Sequence, residues 1–119
     1  MKGYKRYVIW ADTVEDGNKF LEEIIQEYRE KGIEAQKTKV HSRYGSEAIF
    51  ENENTIDFWR VKKASESSRG YRADVSLVDT RITLEIFNSI IRPQTYSTYY
   101  PNNIRYWHPD WSKGSKYIE

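Results

Sequence analysis

The sequence contains no cysteine, which excludes disulfide bridges and cysteine-ligated zinc sites. It has only two histidines, His41 and His108, and each is interpreted as an ordinary surface or turn residue. No apolar run approaches the roughly 20 residues that a membrane-spanning helix needs. The short apolar run near the start is interrupted by Asp12 and is unlike a signal peptide. We therefore expect a cytoplasmic protein with no membrane partner.

An excess of charge of one sign is also lacking. Lysine and arginine total 19 against 18 acidic residues, which leaves a net charge of +1. This balance argues against a protein whose main task is to coat nucleic acid, although it leaves room for a locally basic surface. Aromatic residues, in contrast, are abundant, with 10 tyrosines, 4 tryptophans and 4 phenylalanines. Such rings either build a small core or form a binding surface.

Hydrophobic patterning predicts two strand-then-helix units. Each unit begins with a β-rich run, at residues 6–11 and 74–78. The first helix is predicted from Thr13, a capping residue, to Gly32, with a buried stripe that includes Phe20 and Ile24. The second helix is predicted over residues 83–91, with Leu84 on its buried face, and Pro93 ends it.

The segments between and after these units complete the predicted fold. Residues 47–51 and 55–61 predict a β-hairpin, and residues 34–40 predict a further strand. The chain is thus expected to be one α/β domain, residues 1–119, with a small, partly parallel mixed sheet, a β-hairpin and two main helices. Residues 96–119 form an irregular, aromatic-rich C-terminal segment in this prediction.

The short stretch SSRGYRADVSLVDTR, residues 67–81, contains an apolar strand that ends at Asp79. The ordinary role of such an aspartate is to cap the next helix. Asp12 follows the first strand in the same way. If the two strands are parallel neighbours, both aspartates lie at the sheet edge where α/β proteins bind ligands, so a metal or phosphate site there is the alternative.

Four stretches over residues 6–95 resemble part of the ATPase domain of phage large terminase subunits, the motors that package DNA. RYVIWADTVEDGNKFLEEI resembles the strand and helix that follow the phosphate loop, and AIFENENTIDFWRV resembles the family's asparagine-turn hairpin. SRGYRADVSLVDT resembles the approach to the Walker B strand, and EIFNSIIRPQT resembles the helix after it.

Two requirements of that family are missing from this sequence. It has no phosphate loop ending in Gly-Lys-Ser/Thr, and Thr80 stands where the family has a catalytic glutamate after Asp79. A neutral hydroxyl cannot act as a general base near neutral pH. The resemblance therefore implies a truncated core that is not an enzyme and needs no cofactor. A metal-dependent hydrolase using Asp12 and Asp79 is the remaining enzymatic alternative.

A basic region predicted as loop offers the first set of binding residues. It contains five cations with Trp59 and Tyr71 among them: Arg60, Lys62, Lys63, Arg69 and Arg72. Arginine beside aromatic rings can hold phosphates and stack on bases. The alternative interpretation is a solvated loop whose charge is balanced by Glu66 and Asp74.

The C-terminal segment offers the second set, because it is too rich in rings for a solvated tail. Its candidate binding residues are Tyr99, Tyr100, Arg105, Tyr106, Trp107 and Trp111. The segment either folds back over the sheet or forms an interface, where Tyr, Trp and Arg are over-represented. In both cases we expect it to be ordered.

Two functions follow from the sequence. The first is a non-catalytic phage-type protein that binds a protein partner or associates with itself, as a regulator or inhibitor of a motor or host factor. The alternative is a protein that binds a nucleotide or single-stranded nucleic acid through the basic region and the aromatic segment.

Overall fold

The computed structural model describes residues 3–39, 46–65, 72–95, 103–111 and 117–118. Their strands are β1 (Gly3–Ala11), β2 (Lys37–Lys39), β3 (Glu47–Glu51), β4 (Thr55–Lys63), β5 (Val75–Asp79), β6 (Ile104–Trp107) and β7 (Tyr117–Ile118). Their helices are α1 (Val14–Glu30) and α2 (Leu84–Ile86), and α2 continues as a π-helical segment (Phe87–Ile91) and a 3-10 turn (Arg92–Gln94).

The strands form one sheet in the order β2-β3-β4-β1-β5-β6-β7. The central strand β1 runs parallel to both β4 and β5, and β6 is parallel to β5. The three remaining pairs, β2–β3, β3–β4 and β6–β7, are antiparallel. The predicted α/β fold is therefore confirmed, with its partly parallel mixed sheet and the hairpin of β3 and β4.

Helix α1 covers one face of the sheet. The hydroxyl oxygen of its N-cap, Thr13, accepts a hydrogen bond from the Asp16 backbone N–H at 3.2 Å, as the capping pattern predicted. The apolar stripe of the helix, which includes Phe20 and Ile24, is buried in the larger core cluster. At the other end, Gly32 adopts a φ of 82°, a left-handed conformation that favours glycine and ends the helix.

The second helical unit covers part of the opposite face. Thr83 caps it, but the α-helix widens into a π-helix after one turn, and the Arg92 N–H donates to the Phe87 carbonyl across five residues. The predicted positions Phe87, Ile90 and Ile91 are buried, but Leu84, the first residue of the helix, lies outside the core, so the prediction that it is buried is wrong, and its exposed fraction is 73%. Pro93 lies within the 3-10 turn rather than beyond the end of the helix.

Part of the C-terminal segment belongs to the sheet, which corrects the prediction that it is irregular. Strand β6 pairs with β5, and Trp107 is fully buried with its ring 4.7 Å from that of Phe20. Its indole N–H donates to the Leu77 carbonyl at 3.1 Å. Two smaller differences concern β2, which is shorter than predicted, and β4, which includes Lys62 and Lys63 from the expected loop.

Candidate functional site

Among the residues that the structure describes, the helical unit covers only part of the second face of the sheet. Side chains of the π-helical segment, such as Phe87 and Ile91, pack with Val8, Trp10 and Val78 into a smaller core cluster over β1 and β5. Strands β3 and β4 lie beside that cluster, and a pocket of about 360 Å³ opens above them. We call this region of β1, β3 and β4 the open sheet face.

The pocket has an apolar floor and a charged rim. Its floor includes Val8, Ile49 and Phe58, and its charged lining residues are Arg6, Glu47, Arg60 and Arg72. Three arginines against one glutamate leave a net charge of +2 on the lining, whereas the whole chain carries only +1. The positive charge is therefore concentrated at this face, where a cleft with low-dielectric walls strengthens its field.

The strand register places these side chains together. Arg6 lies opposite Phe58 in the β1–β4 pair, and Phe58 lies opposite Ile49 in the β3–β4 pair. Because side chains alternate between the faces of a strand, residues paired across a row share one face. Arg60, two residues after Phe58, therefore projects from the same face.

The backbone near Arg6 and Arg72 is fixed by hydrogen bonds around Asp74. The Arg6 N–H donates to the buried Asp74 carboxylate at 2.7 Å, and the Asp74 N–H donates to the Arg6 carbonyl at 2.9 Å. The next residue after Arg72, Ala73, donates its N–H to the Gln94 carbonyl at 2.8 Å. Asp74 thus orders the backbone beneath the rim, and most of the loop whose charge it was predicted to balance lies outside the described residues.

The three arginines differ in their partners. Arg60 forms an ion pair with Glu47 at 3.6 Å, and both side chains are nearly half exposed. Such exposed pairs contribute only about 0–1 kcal/mol, so the pair with Glu47 by itself adds little stability. Among the described residues, the guanidinium groups of Arg6 and Arg72 have no hydrogen-bond or ion-pair partner. Two planar donor groups that have no partner in the described part of the chain therefore lie at the rim.

The aspartates at the carboxyl ends of β1 and β5 do not line this pocket and form a separate group. As predicted from parallel neighbours, they lie at one sheet edge, where the Asp12 N–H donates to the Asp79 carboxylate at 3.4 Å. Asp79 is fully buried, and its two oxygens accept hydrogen bonds from Arg81 at 3.1 and 2.7 Å. The predicted helix-capping role of Asp79 is wrong, because Thr83 caps the helix.

Arg81 also reaches Asp16, at 2.8 Å, and so joins two carboxylates. This hydrogen bond lowers the pKa of Asp16, and the bonds to Asp79 and Asp16 raise the pKa of Arg81. The guanidinium group thus donates to both carboxylate oxygens of Asp79. Within the described ranges, no group of three or more acidic or histidine side chains is arranged to hold a metal.

A smaller polar pocket, of about 160 Å³, lies on the α1 face. At its base the buried Asp57 accepts hydrogen bonds from the Tyr28 hydroxyl and the Thr55 hydroxyl, both at 2.5 Å. Burial and the bond to Asp57 raise the pKa of Tyr28. Both carboxylate oxygens have donors, so this network stabilises the packing of α1 on the sheet. Arg105 lines this pocket and is therefore separated from Arg60 and Arg72.

The structure brings only some of the predicted binding residues together. Arg60 and Arg72 line the open sheet face, Lys62 lies two residues beyond Arg60 on β4, and Lys63 is the exposed end of that strand. Arg69, Tyr99 and Tyr100, like His41 and Glu66, lie outside the described residues.

The three aromatic candidates near β6 have different environments. Tyr106 is partly exposed, and Trp111 is half-buried, with its backbone N–H donating to the His108 carbonyl at 3.0 Å. His108 lies in a turn, where its Nδ1 accepts from the Asp110 N–H. Trp107 belongs to the core, but it reaches the core because β6 pairs with β5 within the sheet, and not because the segment lies over a face of the sheet as predicted.

Sequence reasoning missed Arg6, Tyr4 and Phe58. In β1 and β4 an aromatic residue precedes an arginine by two positions, as Tyr4-Lys5-Arg6 and Phe58-Trp59-Arg60. This alternation of ring and arginine was visible in the sequence, and residues two apart on a strand share a face. It indicates a common binding surface only when the pairing of the two strands is known.

Comparisons with protein-family models, with curated proteins and with solved structures find no match to this chain. Among the residues described, no helix has the length and apolar character needed to cross a membrane.

Proposed function

We propose that this protein is a non-catalytic binding protein whose open sheet face takes a phosphate-bearing ligand. The observation that carries the proposal is the pair of arginines, Arg6 and Arg72, at the rim of an apolar pocket and without an ionic partner among the described residues. Guanidinium groups match phosphate geometry through paired N–H donors, and they stay charged at every physiological pH.

Arg60 supplies a third cation at the same rim. Its exposed pair with Glu47 costs little to rearrange, so a phosphate group can share or replace the glutamate. An anionic ligand is favoured over a neutral protein surface because the lining carries a surplus of positive charge. Nucleotides and nucleic acids, the alternative ligands derived from the sequence, both carry phosphate groups and so belong to this class.

The non-catalytic part of the proposal is supported by the environment of Asp79. Its two carboxylate oxygens are held by Arg81, and Thr80 follows it in place of a glutamate. A carboxylate paired in this way is a poor ligand for a metal ion and a poor general base.

The aromatic C-terminal segment was a candidate binding surface for both functions derived from the sequence. Trp107, one of its candidate anchors, is fully buried in the core, so the open sheet face carries the proposal instead of that segment. Descent from a truncated terminase-like core and a phage context stay predictions.

A binding assay with paired variants tests the proposal. The probe is a fluorescein-labelled 12-mer oligonucleotide, titrated at several salt concentrations and followed by anisotropy. Arg6→Gln/Arg72→Gln should weaken binding by at least about tenfold and lower the slope of log K against log salt by about two, one for each lost phosphate contact.

The matched control removes the same charge from the other face. Lys19 and Arg29 lie exposed on α1 in pairs with Glu15 and Glu34, so Lys19→Gln/Arg29→Gln changes the net charge equally. This control should bind nearly as the original protein does. Equal losses in both double variants, or no binding of the probe even at low salt, would overturn the proposal.

A further inference from the structure

We infer that the phosphate-bearing ligand of the open sheet face is a single-stranded nucleic acid, whose bases stack on Tyr4 and Phe58 while its phosphates bind Arg6 and Arg72. The inference rests on the proposed function and names the ligand class of the same site.

Tyr4 and Phe58 form an aromatic pair beside the arginine rim. Their ring centroids are 5.4 Å apart with an interplanar angle of 46°, and 56% of Tyr4 is exposed. Phe58 is half-buried and contributes to the pocket floor. A large exposed ring on a sheet face offers a flat apolar surface to a ligand without any change in the fold.

Rings and cations alternate along both strands. Tyr4 precedes Arg6 on β1, and Phe58 precedes Arg60 on β4, with a separation of about 6.6 Å between residues two apart in a parallel strand. Because β1 and β4 are parallel, the order from ring to arginine runs in the same direction on both. The register pairs Phe58 with Arg6 across the two strands, on the same face of the sheet.

A single-stranded nucleic acid has the same alternation of planar and charged groups. Its bases expose their faces for stacking on aromatic side chains, and its phosphates follow a positively charged groove. In a duplex the faces of the bases are stacked on one another, so a duplex could use the arginines but not the rings. Inorganic phosphates likewise engage the arginines alone.

The direct test compares three probes by fluorescence anisotropy or competition: a single-stranded 12-mer, a duplex of the same length, and tripolyphosphate as a competitor. The intact protein should bind the single strand at least about tenfold more tightly than the duplex. Tyr4→Leu should weaken single-strand binding roughly tenfold, as expected for one lost stacking contact, and leave tripolyphosphate competition unchanged. Tyr4→Phe retains the ring and should restore the affinity.

The result separates this inference from the function on which it rests. If the double arginine variant loses binding but Tyr4→Leu binds the single strand as the original does, the phosphate site stands and the stacking inference fails. Equal affinity for single strand and duplex also overturns the inference.

A second measurement uses the unaltered protein and needs no variant to fold. A single-stranded probe substituted with 5-iodouracil is irradiated in complex with the protein, and the cross-linked peptides are identified. Cross-links at Tyr4 or Phe58 support the inference, and cross-links confined to other regions refute it.

Discussion

Glycine at position 17 offers a sharp test of how α1 packs on the sheet. Replacing an interior helical glycine with alanine ordinarily stabilises a helix by about 1 kcal/mol. Here the added Cβ would lie 2.5 Å from Val61 Cγ1 and 3.0 Å from Ala11 Cβ. Val61 and Ala11 are both fully buried, so neither can move into solvent. Overpacking of this kind costs about 1–3 kcal/mol, which cancels or exceeds the gain in helix propensity.

Gly17→Ala should therefore lower the free energy of unfolding by up to about 2 kcal/mol, measured by urea denaturation with tryptophan fluorescence. Adding Val61→Ala removes the clashing methyl group, so a double-mutant cycle should give a favourable coupling of about 1 kcal/mol. Gly3→Ala, where an added Cβ meets nothing within 4 Å, is the control and should change stability little. A Gly17→Ala protein more stable than the original would refute the close approach of α1 to β1 and β4.

Three further predictions concern the buried Trp107, the bonds of Arg81 to Asp16 and Asp79, and the hydrolysis of ATP. Trp107→Ala should cost about 3–5 kcal/mol in denaturant unfolding, because it empties a buried site beside Phe20; a small loss would mean that the ring is not in the core. Because the pKa of Asp16 is lower in the folded state than its ordinary value of 3.8, its bond to Arg81 stabilises the fold at pH values above 3.8. This contribution to the free energy of unfolding is lost as the pH falls through the pKa of Asp16 in the folded state. Arg81→Met should therefore flatten the acid limb of a stability–pH curve, whereas an unchanged limb would contradict the pairing. Purified protein should release no phosphate from ATP; turnover that disappears in Asp79→Asn would reverse the non-catalytic assignment.

Helix α1 could be predicted from the sequence because its determinants are local. The Thr13 cap, the apolar stripe through Ile24 and the terminal Gly32 all lie within the helix or next to it. The shared edge of Asp12 and Asp79 was also predictable, since parallel neighbouring strands end on the same side.

The elements that the sequence did not predict depend on contacts between residues that are far apart in the chain. Strand β6 has only four residues and gains its hydrogen bonds from β5, so it leaves almost no periodic pattern in the sequence. The π-helical segment has the same apolar spacing as an α-helix, and only its fit over β1 and β5 distinguishes the two. Tertiary packing decides both cases.

The candidate site was only half predictable for the same reason. Arg60 and Arg72 stood out as cations near aromatic residues, but Arg6 is more than 50 positions before them in the chain. It joins them through the pairing of β1 with β4 and through the hydrogen bonds of Asp74. The partner of Asp79, in contrast, was only two residues away in the sequence, and the turn that folds Arg81 back was not evident.

The most direct test of the binding proposal observes the arginine side chains themselves. The Nε–Hε resonances of the ¹⁵N-labelled protein are followed by NMR while tripolyphosphate is added. We expect saturable shifts for Arg6 and Arg72, with little change for Arg81, whose guanidinium group is already held by Asp79 and Asp16. Shifts at Arg81 with none at Arg6 and Arg72 would contradict the account and place the phosphate site at the carboxyl edge of the sheet.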